Sequence, residues 1–164
     1  MFDTSVPVLI QFLHGLSAIL KKAEAYCEAK KIDAGALLQA RLFPDMFALA
    51  RQVQLVTDFA KGSGARLAGI AVPSYADEEK TFVELQARIA KTIDFLGTLT
   101  KEQFADAATR VVTIKVGGND MSFPGAQYFS GYAMPNFYFH LATAYNILRH
   151  NGLELGKKDF MGRA

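Results

Sequence analysis

With a single cysteine, Cys27, the chain can form no intrachain disulfide, so its stability needs no oxidising compartment and a reducing cytoplasm is the expected setting. Charge of either sign is also scarce as a block. Lys and Arg number 18 against 16 Asp and Glu, a formal net charge of +2 with a pI near 8.6. These cations are scattered and form no basic stripe, which argues against nucleic acid as a partner. The N-terminus, Met1-Phe2-Asp3-Thr4, has no basic n-region. The apolar run Val6 to Leu13 is broken by Gln11 and followed by His14, so neither a signal peptide nor a membrane span is expected. Internal repeats and low-complexity tracts are missing. So are G-x-S-x-G, C-x-x-C, the Walker A loop and H-E-x-x-H, which leaves hydrolase, thioredoxin-like, nucleotide and zinc-protease chemistry without a motif.

What is present is core material. At 164 residues, 51% hydrophobic and 21% charged with 13 Phe, the composition is that of a globular protein. A chain this long suits one domain, 1–164, burying roughly two thirds of its unfolded surface.

Apolar residues recur at three and four from Ser5 to Lys31 (Val8, Leu9, Phe12, Leu13, Leu16, Ile19, Leu20, Ala23) and predict a first amphipathic helix. His14 flanks this stripe as a boundary or packed histidine, and Cys27 reads as a buried small hydrophobe. Asp33 can cap a short helix over Ala34 to Leu42, and Pro44 suits the first position of a second long helix reaching Leu67. Along that helix Arg51, Gln54, Asp58 and Lys61 read as a solvated face. Gln52 instead has apolar helical neighbours, with Asp45 seven residues earlier on the same face. Leu67 to Ser74 reads as loop and Asp77-Glu78-Glu79 as surface. Thr81 and Glu84 form a capping-box signature opening a third helix to Leu99, with Arg88 and Lys91 exposed. Thr100 and Gln103 repeat the box for a short turn over Lys101 to Ala107. Thr109 to Val116, Gly117-Gly118-Asn119-Asp120 and Met121-Ser122-Phe123 predict a β-hairpin leaning on helices. Gly125 to Met134 reads as a short helix, and the tail from Leu153 to Ala164 as loosely packed or held by a partner.

The last long helix runs between Pro135 and Gly152, a start and a stop signal. Asn136 and His140, four apart, share one face with Phe137, Ala144 and Ile147. Functional sites of helical bundles form from core side chains on facing helices, which gives Asp45, Gln52, Asn136 and His140 possible common ground. His140 is open to three readings: a core histidine bonded to Gln52, a Tyr hydroxyl or a carbonyl; a general base or substrate contact; or a metal ligand. Arg41 can pair with Asp45 or clamp an anion. Tyr138 and Tyr145 read first as packing residues, and His150 suits its helix C-terminus.

Beyond these local readings, Arg41-Leu42-Phe43-Pro44-Asp45-Met46, Gln52-Val53-Gln54, Ala65-Arg66-Leu67-Ala68-Gly69, Leu85-Gln86-Ala87-Arg88, Pro135-Asn136-Phe137-Tyr138-Phe139-His140 through Ala144-Tyr145 to Leu148-Arg149-His150-Asn151-Gly152, and Gly156-Lys157-Lys158-Asp159-Phe160 resemble an uncharacterised domain-of-unknown-function family of the DinB/YfiT-like superfamily. The resemblance covers essentially the whole chain. It implies an all-α, up-down-down-up four-helix bundle, here with a small β-hairpin before the last long helix, and commonly a homodimer. In the superfamily a second-helix histidine and an H-x-x-x-H pair on the fourth helix bind a divalent metal such as Zn or Ni, and some members transfer thiols such as bacillithiol or mycothiol. By position His140 matches the second histidine of the pair, Asn136 stands for the first, and the second-helix position falls near Gln52, with Arg51 and Gln54 as alternatives. Amides at two of three imidazole positions bind metals weakly, so no cofactor is assigned, and His140 is the only candidate ligand.

The pocket set is thus Arg41, Asp45, Gln52, Asn136, His140 and Tyr145. It serves either an enzyme-like site for a small polar or thiol ligand or a noncatalytic dimerisation module with a satisfied polar network. A divalent-metal-dependent thiol transferase is the further alternative.

Overall fold

The apolar stripe near the N-terminus becomes helix α1, Phe2–Lys30, in a computed structural model that describes residues 1–162. Its inner line Leu9, Leu13, Leu16, Leu20 and Ala23 is almost fully shut off from solvent. By length and apolar composition alone α1 could cross a membrane, yet half of its most apolar window is buried against the other helices. Asp33 caps α2, Ala34–Leu38, by accepting from the Gly35 amide at 2.9 Å; this helix is shorter than predicted.

The second long helix, α3, spans Leu49–Ala68 and does not start at Pro44. Pro44 falls in a turn instead, which suits its fixed φ equally well. Met46 N donates to the Phe43 carbonyl, Arg41 Nη1 donates to the Met46 carbonyl at 2.7 Å, and Leu49 N donates to the Ala40 carbonyl. These local bonds outcompete an earlier helix start. Gly69, at φ 71, ends α3 in the left-handed conformation that favours glycine. Helix α4, Phe82–Gly97, opens on the predicted capping box: Thr81 accepts from Glu84 N while the Glu84 carboxylate accepts from Thr81 N.

Residue pairings fix the directions of the four long helices. Thr57 meets Arg88 and Gly64 meets Leu96, so α3 and α4 run parallel. Ser17 meets Gln86 while Phe2 meets Phe104 beyond the end of α4, so α1 and α4 are antiparallel. The last long helix, α6 (Met134–His150), lies antiparallel to α3, as the Gln52–His140 and Arg66–Tyr128 contacts show. It lies parallel to α1, as Phe12–Phe137 and Tyr26–Asn151 show. The bundle is therefore up-down-down-up, and the parallel α3–α4 step requires a long crossover.

That crossover, residues 70–80, is a strap clamped by Arg88. By sequence Arg88 reads as exposed and the line Arg51, Gln54, Asp58 and Lys61 as a solvated face, but the strap covers them. Only 2% of the Arg88 side chain is exposed; its guanidinium contacts Asp58 at 2.7 Å, Asp77 at 3.0 Å and Glu79 at 3.0 Å, and Nε donates to Thr57 Oγ1. Gln54 and Lys61 are buried as well. Arg51 reaches Asp77, Gln54 Nε2 donates to Glu79, and the Tyr75 ring lies beneath the Lys61 and Lys91 ammonium groups. The acidic run is thus partly internal, because an arginine leaves water only where several carboxylates and carbonyls replace it.

The hairpin forms as predicted, with β1 (Val111–Val116) antiparallel to β2 (Asn119–Pro124) and Val116 opposite Asn119. Gly117 and Gly118 both have positive φ, as a two-residue type I′ turn demands. Helix α5, Gly125–Tyr128, then runs through a π-helical turn, Phe129–Ala133, straight into α6. Pro135 accordingly takes a place in the first turn of α6, as expected, but with no break in the helical path before it. Its ring would clash with the carbonyl four residues earlier in a regular helix, and the wide turn just upstream relieves that contact.

The tail folds back on α1 instead of packing loosely. Helix α7, Lys157–Phe160, places Asp159 on Lys22 at 2.5 Å, Gln11 Nε2 donates to the Met161 carbonyl, and Phe160 packs on Phe12 and Tyr145. Residues 163–164 lie outside the described residues.

Candidate functional site

On α6, Phe137, Leu141, Ala144, Ile147 and Leu148 make the inner stripe, and His140 joins it at 8% exposure. Its partner comes from α3: Gln52, 1% exposed, places Oε1 2.7 Å from His140 Nδ1. The orientation of the amide follows from its other end, where Nε2 donates to the Phe47 carbonyl at 3.1 Å. An amide oxygen cannot donate, so Nδ1 carries the proton and Nε2 holds a lone pair. Nε2 has no partner among the described residues and is not sealed from solvent. The imidazole stacks on Phe59, centroids 5.6 Å apart, and Phe139 meets it edge-on at 5.2 Å.

Burial and, to a lesser degree, the nearby Arg51 guanidinium push the His140 pKa below its ordinary value, so the ring is neutral near pH 7. A neutral imidazole with a fixed tautomer and an outward lone pair can accept a hydrogen bond or a proton from a ligand.

The other sequence candidates lie elsewhere. Asp45 is exposed in the turn before α3, not on the Gln52 face, and Arg41 spends its guanidinium on the Met46 carbonyl without pairing with Asp45. Asn136 turns back on its own helix, where Nδ2 donates to the Tyr132 carbonyl at 2.8 Å. Tyr145 faces the tail and packs edge-on against Phe160. Arg51 and Gln54, the alternative registers, face the strap, so Gln52 is the α3 residue that meets His140. His14 is exposed instead of packed, and Cys27 is buried, which raises its thiol pKa. Sequence reasoning missed the Phe47 carbonyl, which became visible only when the turn displaced the helix start.

A family described as a domain of unknown function, DUF1993, matches residues 1–161. The chain belongs to the DUF1993 family. It is also similar to a crystal structure of a DinB family member protein from Shewanella denitrificans. The two are 42% identical with a TM-score of 0.89, over 98% of this chain and 90% of that one. No curated protein matches.

Placed on this DUF1993 chain, the superfamily's three-histidine metal site does not fit. Among the described residues no three His, Cys, Asp or Glu side chains are grouped to hold a metal ion. The Gln52 oxygen is already taken by the His140 N–H, and the Asn136 amide is bound to Tyr132. One imidazole lone pair remains where about three ligands are needed.

Proposed function

We propose that this DUF1993 protein binds a small polar ligand at the α3–α6 interface through the Nε2 lone pair of His140, without a metal. The observation that carries this reading is the chain Phe47 carbonyl, Gln52 amide, His140 Nδ1, which orients the ring and fixes its tautomer. A ligand with an acidic X–H, a thiol or a small neutral acid, matches a lone pair of this kind. The bundle supplies the rigid elements, and Phe59 and Phe139 flank the ring. A cytoplasmic setting suits the reduced, buried Cys27. A thermal-shift screen of small acids and thiols tests the reading. At least one should stabilise the protein, and its effect should vanish in His140→Ala; a screen in which every ligand acts equally on both proteins overturns it. Elemental analysis of untagged protein purified without chelators should find metal far below one ion per chain, and stoichiometric metal would restore the thiol-transferase alternative.

A second reading is favoured by a specific surface. Phe43, Phe47 and Phe139, 64%, 53% and 55% exposed, are unusually open for large apolar side chains, and Phe139 packs on His140 itself. A homodimer joined through these rings would make the bundle a dimerisation module with His140 at its rim. Sedimentation of wild type against Phe139→Glu tests it: loss of a dimer supports the module, whereas a wild-type monomer excludes it.

A further inference from the structure

A cavity of about 310 Å³ lies between α3, β1 and the π-helical turn, lined by Asp58, Phe59, Arg66, Lys115, Tyr128 and Tyr132 among others. Its cation is unspent. Arg66 Nη1 donates only to the Tyr128 hydroxyl, at 3.3 Å, and among the described residues no carboxylate lies within 4.0 Å of the guanidinium. A planar group with five N–H donors is thus committed to one neutral acceptor. Tyr128, 1% exposed, accepts that bond, and its own O–H proton has no acceptor among the described hydrogen bonds. Two sets of unspent donors therefore converge on one cavity.

The remaining wall is aromatic. Tyr132 stacks on Tyr128 at 6.1 Å and on Phe123 at 6.4 Å, and Phe59 leans on it at 6.0 Å. The π turn creates this arrangement by displacing Tyr132 from where a regular helix would put it; such turns recur at functional sites. Charge sets the valence. Lys115 is paired with Asp120, and Asp58 is held by Arg88 and Lys61, so Arg66 alone leaves about one uncompensated positive charge.

Gly62 leaves the room in which the guanidinium sits. Glycine inside a helix is costly relative to alanine. A Cβ at position 62 would come 2.6 Å from Arg66 Nη1, and its other contact within 4 Å is Arg66 Cζ. The missing methyl is the space in which the guanidinium lies.

We propose that this cavity is a binding site for a small aromatic carboxylate with a single negative charge. The carboxylate takes the Arg66 fork and the Tyr128 hydroxyl, and its ring packs on Tyr132 and Phe59. The site is distinct from the His140 lone pair, although Phe59 touches both.

The test is a chemical-shift titration of the whole protein with benzoate, against acetate and benzyl alcohol. Benzoate should bind saturably and more tightly than either control, shifting the Tyr132 and Arg66 side-chain signals. Losing the charge-assisted bonds in Arg66→Gln should weaken it roughly tenfold or more. Gly62→Ala should do the same while leaving the melting temperature equal or higher, since the new methyl displaces only the flexible tip of Arg66. Absence of saturable binding, acetate binding as tightly as benzoate, or wild-type affinity in Gly62→Ala overturns the proposal. That last variant keeps the test decisive even if Arg66→Gln fails to fold.

Discussion

Gln52 and His140, 88 residues apart in the chain, form one hydrogen bond of 2.7 Å across the α3–α6 interface, and the second hydrogen bond of the Gln52 amide decides which imidazole nitrogen carries the proton. Replacing Gln52 by Leu removes the acceptor while keeping the volume. The buried Nδ1–H is then left without its partner, at a cost of about 1–3 kcal/mol. Nitrogen-15 NMR of the imidazole should change from the Nδ1–H tautomer alone to a mixture. An unchanged spectrum would show that something other than Gln52 sets the tautomer.

The depressed His140 pKa carries a stability consequence with a definite sign. The unfolded chain binds the proton more readily than the folded one, so above about 6.5, where neither is protonated, the histidine costs nothing. As the pH falls below that value the unfolded state gains the proton first, and stability declines until the lower, folded-state pKa is reached. Urea midpoints between pH 7.5 and 5.5 should fall more steeply for wild type than for His140→Gln, which has no such proton to gain.

Much of the fold is legible in local sequence because its signals are local. The three-to-four periodicity of α1, the Thr81–Glu84 box and the Gly117-Gly118 turn each act within a few residues and appear where expected. Legibility stops where partners are distant. Arg88 has the look of a surface residue on α4, and only the crossover that brings Asp77 and Glu79 over it makes it internal. Asp45 leaves the Gln52 face for a related reason: proline suits a turn and a helix start equally, and bonds to Ala40 and Met46 choose between them. Of the six candidate site residues, only Gln52 and His140 meet, and both sit among apolar helical neighbours, as Asn136 also does. Asn136 satisfies itself within its own helix, which spacing alone cannot reveal.

The Arg88 clamp predicts that the strap and the bundle are separable. Arg88→Ala leaves Asp58, Asp77 and Glu79 without their shared cation, and the cost falls at or below the low end of about 3 kcal/mol for breaking a buried pair, because Asp58 and Asp77 are partly exposed and keep Lys61 and Arg51. Proteolytic cleavage within residues 70–80 should accelerate while the amides of α1 and α6 keep their hydrogen-exchange protection. Uniform loss across all helices would mean instead that the clamp is part of the global folding unit.

Two glycines near the π turn should respond in opposite directions to the same substitution. Gly125 opens α5 against the segment leading into the hairpin: Ala126 N donates to the Ala108 carbonyl at 3.0 Å, and a Cβ on Gly125 would fall 1.9 Å from the Ala107 carbonyl oxygen. Backbone oxygen cannot swing aside as a side-chain tip can, so Gly125→Ala must displace either the loop or the helix start. A cost well above the ordinary mutational value of about 1 kcal/mol follows. Gly131, inside the π turn, has nothing within 4 Å of the corresponding position. Gly131→Ala restricts only the unfolded chain and should stabilise by about 0.4–1 kcal/mol. Equilibrium denaturation of the two variants checks the pair. If Gly131→Ala also destabilises, the π turn itself depends on glycine, and the seating of Tyr128 and Tyr132 depends on backbone freedom more than on the packing of their rings.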